Sequence, residues 1–209
     1  MLQLAFHSVI EFISRNLVDT LVLHVVALTW TLSYLLSKVS KTLGRKCLHM
    51  GMGVCTLYAE SVLDASSLRT LLPVAGVLMS FVTLFQIFNF VRPKDINILT
   101  YIATVVTTMF LGIELKYISA MFFADPLACI VGKLMTKIGF NIKLINSKSL
   151  AGSLTAWIIA YACLEPMYGS IAILYGAIVS LTELVVLNND NFYIWSVLMS
   201  FYYLQCAGY

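Results

Sequence analysis

The stretch Leu71–Val91, LLPVAGVLMSFVTLFQIFNFV, decides the fold class. It carries no charged residue and matches the roughly 20 apolar residues that a helix needs to cross a bilayer. Working outward, comparable runs lie at Leu17–Leu36 and Tyr168–Leu187. Shorter or more polar ones lie at Leu48–Val62, Ile98–Gly112, Tyr117–Gly132, Leu150–Leu164 and Phe192–Ala207. The expectation is an all-α, polytopic transmembrane helix bundle of about eight spans, or seven if one of the short pair near Ile113 is re-entrant. No alternating β-barrel pattern competes with this reading. Residues 1–16 place Leu2, Phe6, Val9, Ile10 and Ile13 on one helical face, which predicts an amphipathic interfacial helix ahead of a single membrane domain over 17–207.

Composition agrees. Of 209 residues, 60% are hydrophobic and 11% charged, and the mean hydropathy is +0.91. Soluble domains carry about 25% charged residues, so a water-soluble globule is excluded. A net charge of +3 is too small for nucleic-acid binding by charge alone. The five cysteines, Cys47, Cys55, Cys129, Cys163 and Cys206, show no metal-type spacing and read as small core residues.

If the spans alternate, Lys38, Lys41, Arg45, Lys46, Arg92, Lys94, Lys133, Lys137, Lys143 and Lys148 face one side, and Arg15, Arg69 and Lys116 the other. The bias puts the lysine-rich loops in the cytosol and both termini opposite. The membrane would be that of the endoplasmic reticulum in a eukaryote and the plasma membrane in a prokaryote.

Four polar clusters fall on the lysine-rich side. Arg45-Lys46-Cys47-Leu48-His49 opens the second span, with Arg45 and His49 on one helix face. Phe123-Ala-Asp-Pro-Leu-Ala-Cys-Ile-Val-Gly-Lys133 places Asp125 inside an apolar run, where a carboxylate is a functional candidate by default. Asp followed by Pro is a helix-start signal, so the fifth span is expected to break at Asp125-Pro126. The loop Lys133–Lys148 ends in Asn146-Ser147-Lys148-Ser149-Leu-Ala-Gly152-Ser153, where Ser147 or Ser149 can cap the sixth span. Glu183 and then Asn188-Asn189-Asp190-Asn191 complete the set. Lysines and helix N-termini suit phosphate oxygens, and carboxylates in the same pocket suit Mg²⁺. The combination reads as phosphoryl or nucleotidyl transfer at a membrane surface.

These residues resemble the polyprenol kinase family of phytol, dolichol and CTP-dependent diacylglycerol kinases. The likeness covers roughly residues 41–195 and rests on Arg45-Lys46-x-x-His49, Asp125-Pro-x-Ala128-x-x-x-Gly132-Lys133, Lys148-Ser149-x-x-Gly152-Ser153, and Glu183 before Asp190-Asn191. It implies a multi-span enzyme that phosphorylates a membrane-embedded lipid alcohol from a nucleoside triphosphate, with CTP as co-substrate and Mg²⁺ on the nucleotide. By this resemblance Asp125, Asp190 and Glu183 are the metal candidates. Lys133, Gly132, Ser149, Gly152 and Ser153 are the nucleotide contacts. Lys148, Arg45 and Lys46 neutralise phosphate charge, and the base is Asp125 or His49. Ala151 stands where the family's third motif often has Glu, and Phe192-Tyr193 where it often continues to Pro-Leu. Two alternatives stay open. A phosphatidate cytidylyltransferase would share the middle motifs, but it needs a C-terminal basic signature, and no Lys, Arg or His follows Lys148. A transporter would use the broken fifth span as its ion or solute site. No Walker-type or protein-kinase motif is present.

Overall fold

The computed structural model describes residue 21 and residues 24–85, 96–145, 148–186 and 188–208. The predicted interfacial helix over 1–16 lies outside them, as do Ser147 and part of the first span.

The described residues are helical, with no strand among them. The α-helices are α1 (24–39), α2 (Lys41–Val62), α3 (Ala65–Leu84), α4 (Ile96–Phe110), α5 (Ser119–Lys137), α6 (Leu150–Tyr168), α7 (Ala172–Val185) and α8 (Asp190–Cys206). Single 3₁₀ turns at Leu115–Ile118 and Gly169–Ile171 lead into α5 and α7. Each expected segment overlaps one of these helices where it is described, with shifted ends: α3 begins at Ala65 and not Leu71, and α7 at Ala172 and not Tyr168.

Three helical stretches are long and apolar enough to cross a membrane: Ala65–Leu84, Leu115–Lys137 and Leu150–Val185. The last is not one rod. Ser180 Oγ donates to the Ser153 carbonyl at 2.7 Å and Trp157 Nε1 to the Ile173 carbonyl at 3.0 Å, so α6 and α7 run antiparallel. The reversal falls at Gly169, whose φ of +57° lies where a side chain would be strained. At about 1.5 Å per residue, the 19 residues of α6 give about 28 Å, close to the hydrocarbon thickness of a bilayer.

α5 is the central element. Leu115, Ile118, Ala120, Met121, Phe122 and Ala124 have no exposed surface. Gly53 of α2 passes directly over Phe122: a Cβ on Gly53 would stand 2.6 Å from the Phe122 Cβ. On the far side of the core, Tyr175 of α7 and Phe201 of α8 stack with centroids 3.8 Å apart. Large apolar side chains such as Val77, Leu78, Phe85, Phe110, Ile158 and Leu181 point outward, the inverse of a soluble protein and the arrangement that a lipid surround permits.

One sequence expectation is overturned. α5 runs through Asp125 and Pro126 without a break, starting instead after the Leu115–Ile118 turn. Pro126 lacks the N–H that would reach the Phe122 carbonyl, a local loss that membrane helices tolerate when neighbouring helices hold the segment. Here Asp125, Pro126 and Ala128 are all buried. Asp125 is therefore an interior carboxylate and not a helix cap. With the break goes the feature on which the transporter alternative drew. α5 also absorbs Lys133–Lys137, which the sequence reading placed in the loop.

Candidate functional site

The elements that supply polar side chains converge at one end of the bundle. Ser149 caps α6, accepting from the Gly152 N–H at 3.2 Å. The connecting chain folds back beside it, with Leu144 N–H bonded to the Lys148 carbonyl and Leu150 N–H to the Ile142 carbonyl. Asn141 fastens the corner: its amide donates to the Gly132 carbonyl and Thr136 Oγ1, both at 2.9 Å, while its Oδ1 accepts from Ala151 N–H at 3.2 Å. Gly132 and Gly152 let α5 and α6 meet here. A Cβ on Gly132 would lie 2.7 Å from Ser149 Oγ, and one on Gly152 3.0 Å from the Ala128 carbonyl.

Between these elements lies a cavity of about 460 Å³, lined among others by Asp125, Gly132, Lys133, Lys143, Lys148, Ser149, Gly152, Ser153, Glu183 and Asp190. Residues from 125 to 190 that motif reading grouped by chemistry are thus brought to one space. A smaller pocket of about 70 Å³ adjoins it, lined by Arg45, Lys46 and His49 together with Tyr101, Asn97 and Asn191, and it shares Asp125 and Asp190 with the larger one. The two carboxylates form the wall between the spaces. Arg45 and His49 do share a face, as their spacing requires.

Two ion pairs stand at the cavity. The Lys46 ammonium donates to Asp125 Oδ2, with only 6% of the Asp125 side chain exposed. Lys148 bonds Glu183 Oε1 at 2.6 Å and also the Glu183 carbonyl. Such pairs leave neither charge uncompensated at depth. Glu183, with 8% of its side chain exposed, is paired with Lys148 as Asp125 is with Lys46. Asp190 opens α8, following Asn189 in the left-handed conformation at φ 58°. The turn is tied to α4, where Asn97 Oδ1 accepts from Asn189 N–H at 3.2 Å and the Asn97 carbonyl accepts from Asn191 Nδ2 at 3.0 Å. Burial and the Asp125 charge push the Asp190 carboxyl above the usual carboxylate range, against the pull of Lys46 and Lys148. Ser153 Oγ, on the cavity wall, is buried without a partner among the described residues.

Among the described residues no group of three or more His, Cys, Asp or Glu side chains is placed to hold a metal ion. Asp125 and Asp190 face the same cavity as a pair. That donor set suits Mg²⁺, which keeps several waters and takes one or two carboxylates plus substrate phosphates.

Sequence reasoning missed Asn97, Tyr101 and Asn141. Each is a single polar residue beside or within an apolar run, and its role shows only in three dimensions: Asn97 meets Asn191 94 positions away, Tyr101 packs on His49, and Asn141 joins α5 to α6. No protein family, curated protein or solved structure matches the chain.

Proposed function

We propose that the protein is a membrane lipid kinase that transfers the terminal phosphate of a nucleoside triphosphate, CTP by the resemblance, to the hydroxyl of a membrane-embedded alcohol. One observation carries this reading. Asp125 and Asp190 divide a basic, hydroxyl-lined cavity of about 460 Å³ from a small, largely apolar pocket at one end of a lipid-compatible bundle. The larger space suits a triphosphate, with Lys133, Lys143 and Lys148, the unpaired Ser153 hydroxyl and the α6 N-terminus available to its oxygens.

In the reaction the alcohol oxygen bonds to the terminal phosphorus, and the bond from that phosphorus to the bridging oxygen breaks. A nucleoside diphosphate leaves, and the hydroxyl proton passes to Asp125 or His49. Lysines and helix dipoles stabilise charge on the transferring group, so placement and electrostatics carry the catalysis. Asp125 and Asp190 would hold Mg²⁺, which supplies charge neutralisation for the phosphates when bound. Glu183 positions Lys148. The full reading has about eight spans, an interfacial helix at 1–16, and the cavity opening to the cytosol.

The test is incubation of the purified protein in vesicles with terminally labelled CTP, then ATP, and a panel of dolichol, phytol and diacylglycerol. Labelled lipid phosphate is expected. A cytidine-linked lipid would replace the reading by nucleotidyl transfer, and absence of any labelled lipid would overturn it.

A further inference from the structure

A further groove opens at the same end of the bundle, between the start of α2 and the C-terminal half of α5. It encloses about 310 Å³, and three lysines line it: Lys46 from α2, and Lys133 and Lys137 from α5. Lys133 and Lys137 are four apart and share a helix face, a spacing at which like charges repel. Lys46 is already held by Asp125. Among the described residues no carboxylate lines the groove, and neither Lys133 nor Lys137 belongs to an ion pair. The positive end of the α2 dipole adds to the same sign. Beside these charges Leu43, Ile130 and Leu134 supply apolar surface, with Leu134 54% exposed. Ser40, Thr42 and Cys129 complete the lining and carry no charge at neutral pH. A lysine that only snorkels to a membrane surface needs no concavity; here two helices wall one. The membrane-capable stretch Leu115–Lys137 ends at Lys137, so in a bilayer the two ammonium groups stand near headgroup level and Ile130 lies deeper.

We propose that this groove holds an anionic phospholipid, its phosphate against Lys133 and Lys137 and the upper part of an acyl chain against Leu43, Ile130 and Leu134. Charge complementarity selects the occupant. A zwitterionic lipid would bring its own ammonium group to a site that is already positive. A soluble anion would satisfy the lysines and leave the apolar side uncovered. The lipid is bound and not consumed, so the proposal stands whether or not the neighbouring cavity transfers phosphate. Lys133 lines that cavity as well, and the test therefore leaves it unchanged and works on Lys137.

The experiment uses the full chain in phosphatidylcholine nanodiscs that carry a small fraction of phosphatidylglycerol with a diazirine high in one acyl chain. Cross-links are mapped by mass spectrometry. Labels are expected at Leu43, Ile130 and Leu134, displaced by excess plain phosphatidylglycerol and left in place by excess phosphatidylcholine or inorganic phosphate. Lys137→Gln should lower capture about fivefold, the scale of one lysine facing an anionic lipid surface. It should not lower the thermal midpoint, because it breaks no ion pair among the described residues. Ile130→Trp, which fills the groove and keeps every charge, should lower capture as well. Lys41→Gln removes a charge from the same end at an exposed position outside the groove, and should change capture little. Equal losses from Lys41→Gln and Lys137→Gln would reduce the effect to general attraction by the surface and overturn the proposal. Labels spread over the outward faces of α3 and α6 would also overturn it, as would displacement by phosphatidylcholine or inorganic phosphate equal to that by phosphatidylglycerol.

Discussion

Asp125 is the residue on which the site turns, because it touches both spaces and holds Lys46. Asp125→Asn retains an acceptor for the lysine but removes the charge. Phosphate transfer to lipid should fall by at least about 100-fold, the scale of losing one electrostatic contact in a transition state. Because the buried Lys46 ammonium loses its counter-charge, the thermal midpoint should fall as well, recovering when Lys46→Met is added. Lys148 pairs Glu183 and, on the proposed reading, also meets the nucleotide, and the two roles can be separated. Lys148→Met should raise the KM for nucleotide and also destabilise by about 3–5 kcal/mol, since it strands the buried Glu183 carboxylate. Adding Glu183→Gln should restore most of the stability and none of the nucleotide affinity; recovery of both would show that the pair is structural only. Asp190 gives a pH signature. Its folded value stands above the ordinary one, so with magnesium withheld the fold should gain stability as pH drops through that raised value, reaching its full gain below the unfolded value. Asp190→Asn should flatten this dependence in thermal melts, and added Mg²⁺ should move the midpoint to lower pH if the carboxylate takes the ion.

Among the elements, the α5–α6 corner is the most sensitive. Gly132→Ala puts a Cβ 2.7 Å from Ser149 Oγ, and the serine can yield only by giving up its cap on Gly152 N–H. The expected cost is about 1 kcal/mol for the cap, together with a raised nucleotide KM as Lys148 shifts. Ser149→Ala should reproduce the stability loss with a smaller effect on KM. This corner also shows what a sequence can and cannot disclose. The Ser149 cap and the small residues Ala128, Gly132 and Gly152 are local signals, and local signals survive translation into structure. The continuity of α5 was hidden because Asp-Pro speaks for a helix start whenever neighbours are ignored, and the neighbours are what bury Asp125. Asn97 and Asn141 were illegible for a related reason: an amide that clamps two distant backbones looks, in sequence, like any other turn residue.

At the scale of the whole molecule, charge is sorted by end. The cavity end gathers Lys46, Lys133, Lys143 and Lys148, while Glu60 and Glu114 sit with the Leu115 turn, Glu60 accepting the Leu115 N–H at 2.7 Å and Glu114 pairing Lys116 at 2.6 Å. In sealed vesicles, a membrane-impermeant thiol reagent should reach Lys143→Cys and Glu114→Cys from opposite faces, in a background where Cys206, the exposed native thiol, is replaced. Modification of both from one face would dismantle the alternating arrangement. The two ammonium–carboxylate pairs at the mouth have one more consequence. With nothing bound each pair cancels its own charge, so Asp125 and Glu183 are both held by a lysine in the resting protein. On the proposed reading, an incoming polyphosphate would have to draw Lys46 and Lys148 away from their acids, and that exchange of partners would free Asp125 and Glu183. A kinase arranged this way would carry its own safety catch, released by the nucleotide it takes up.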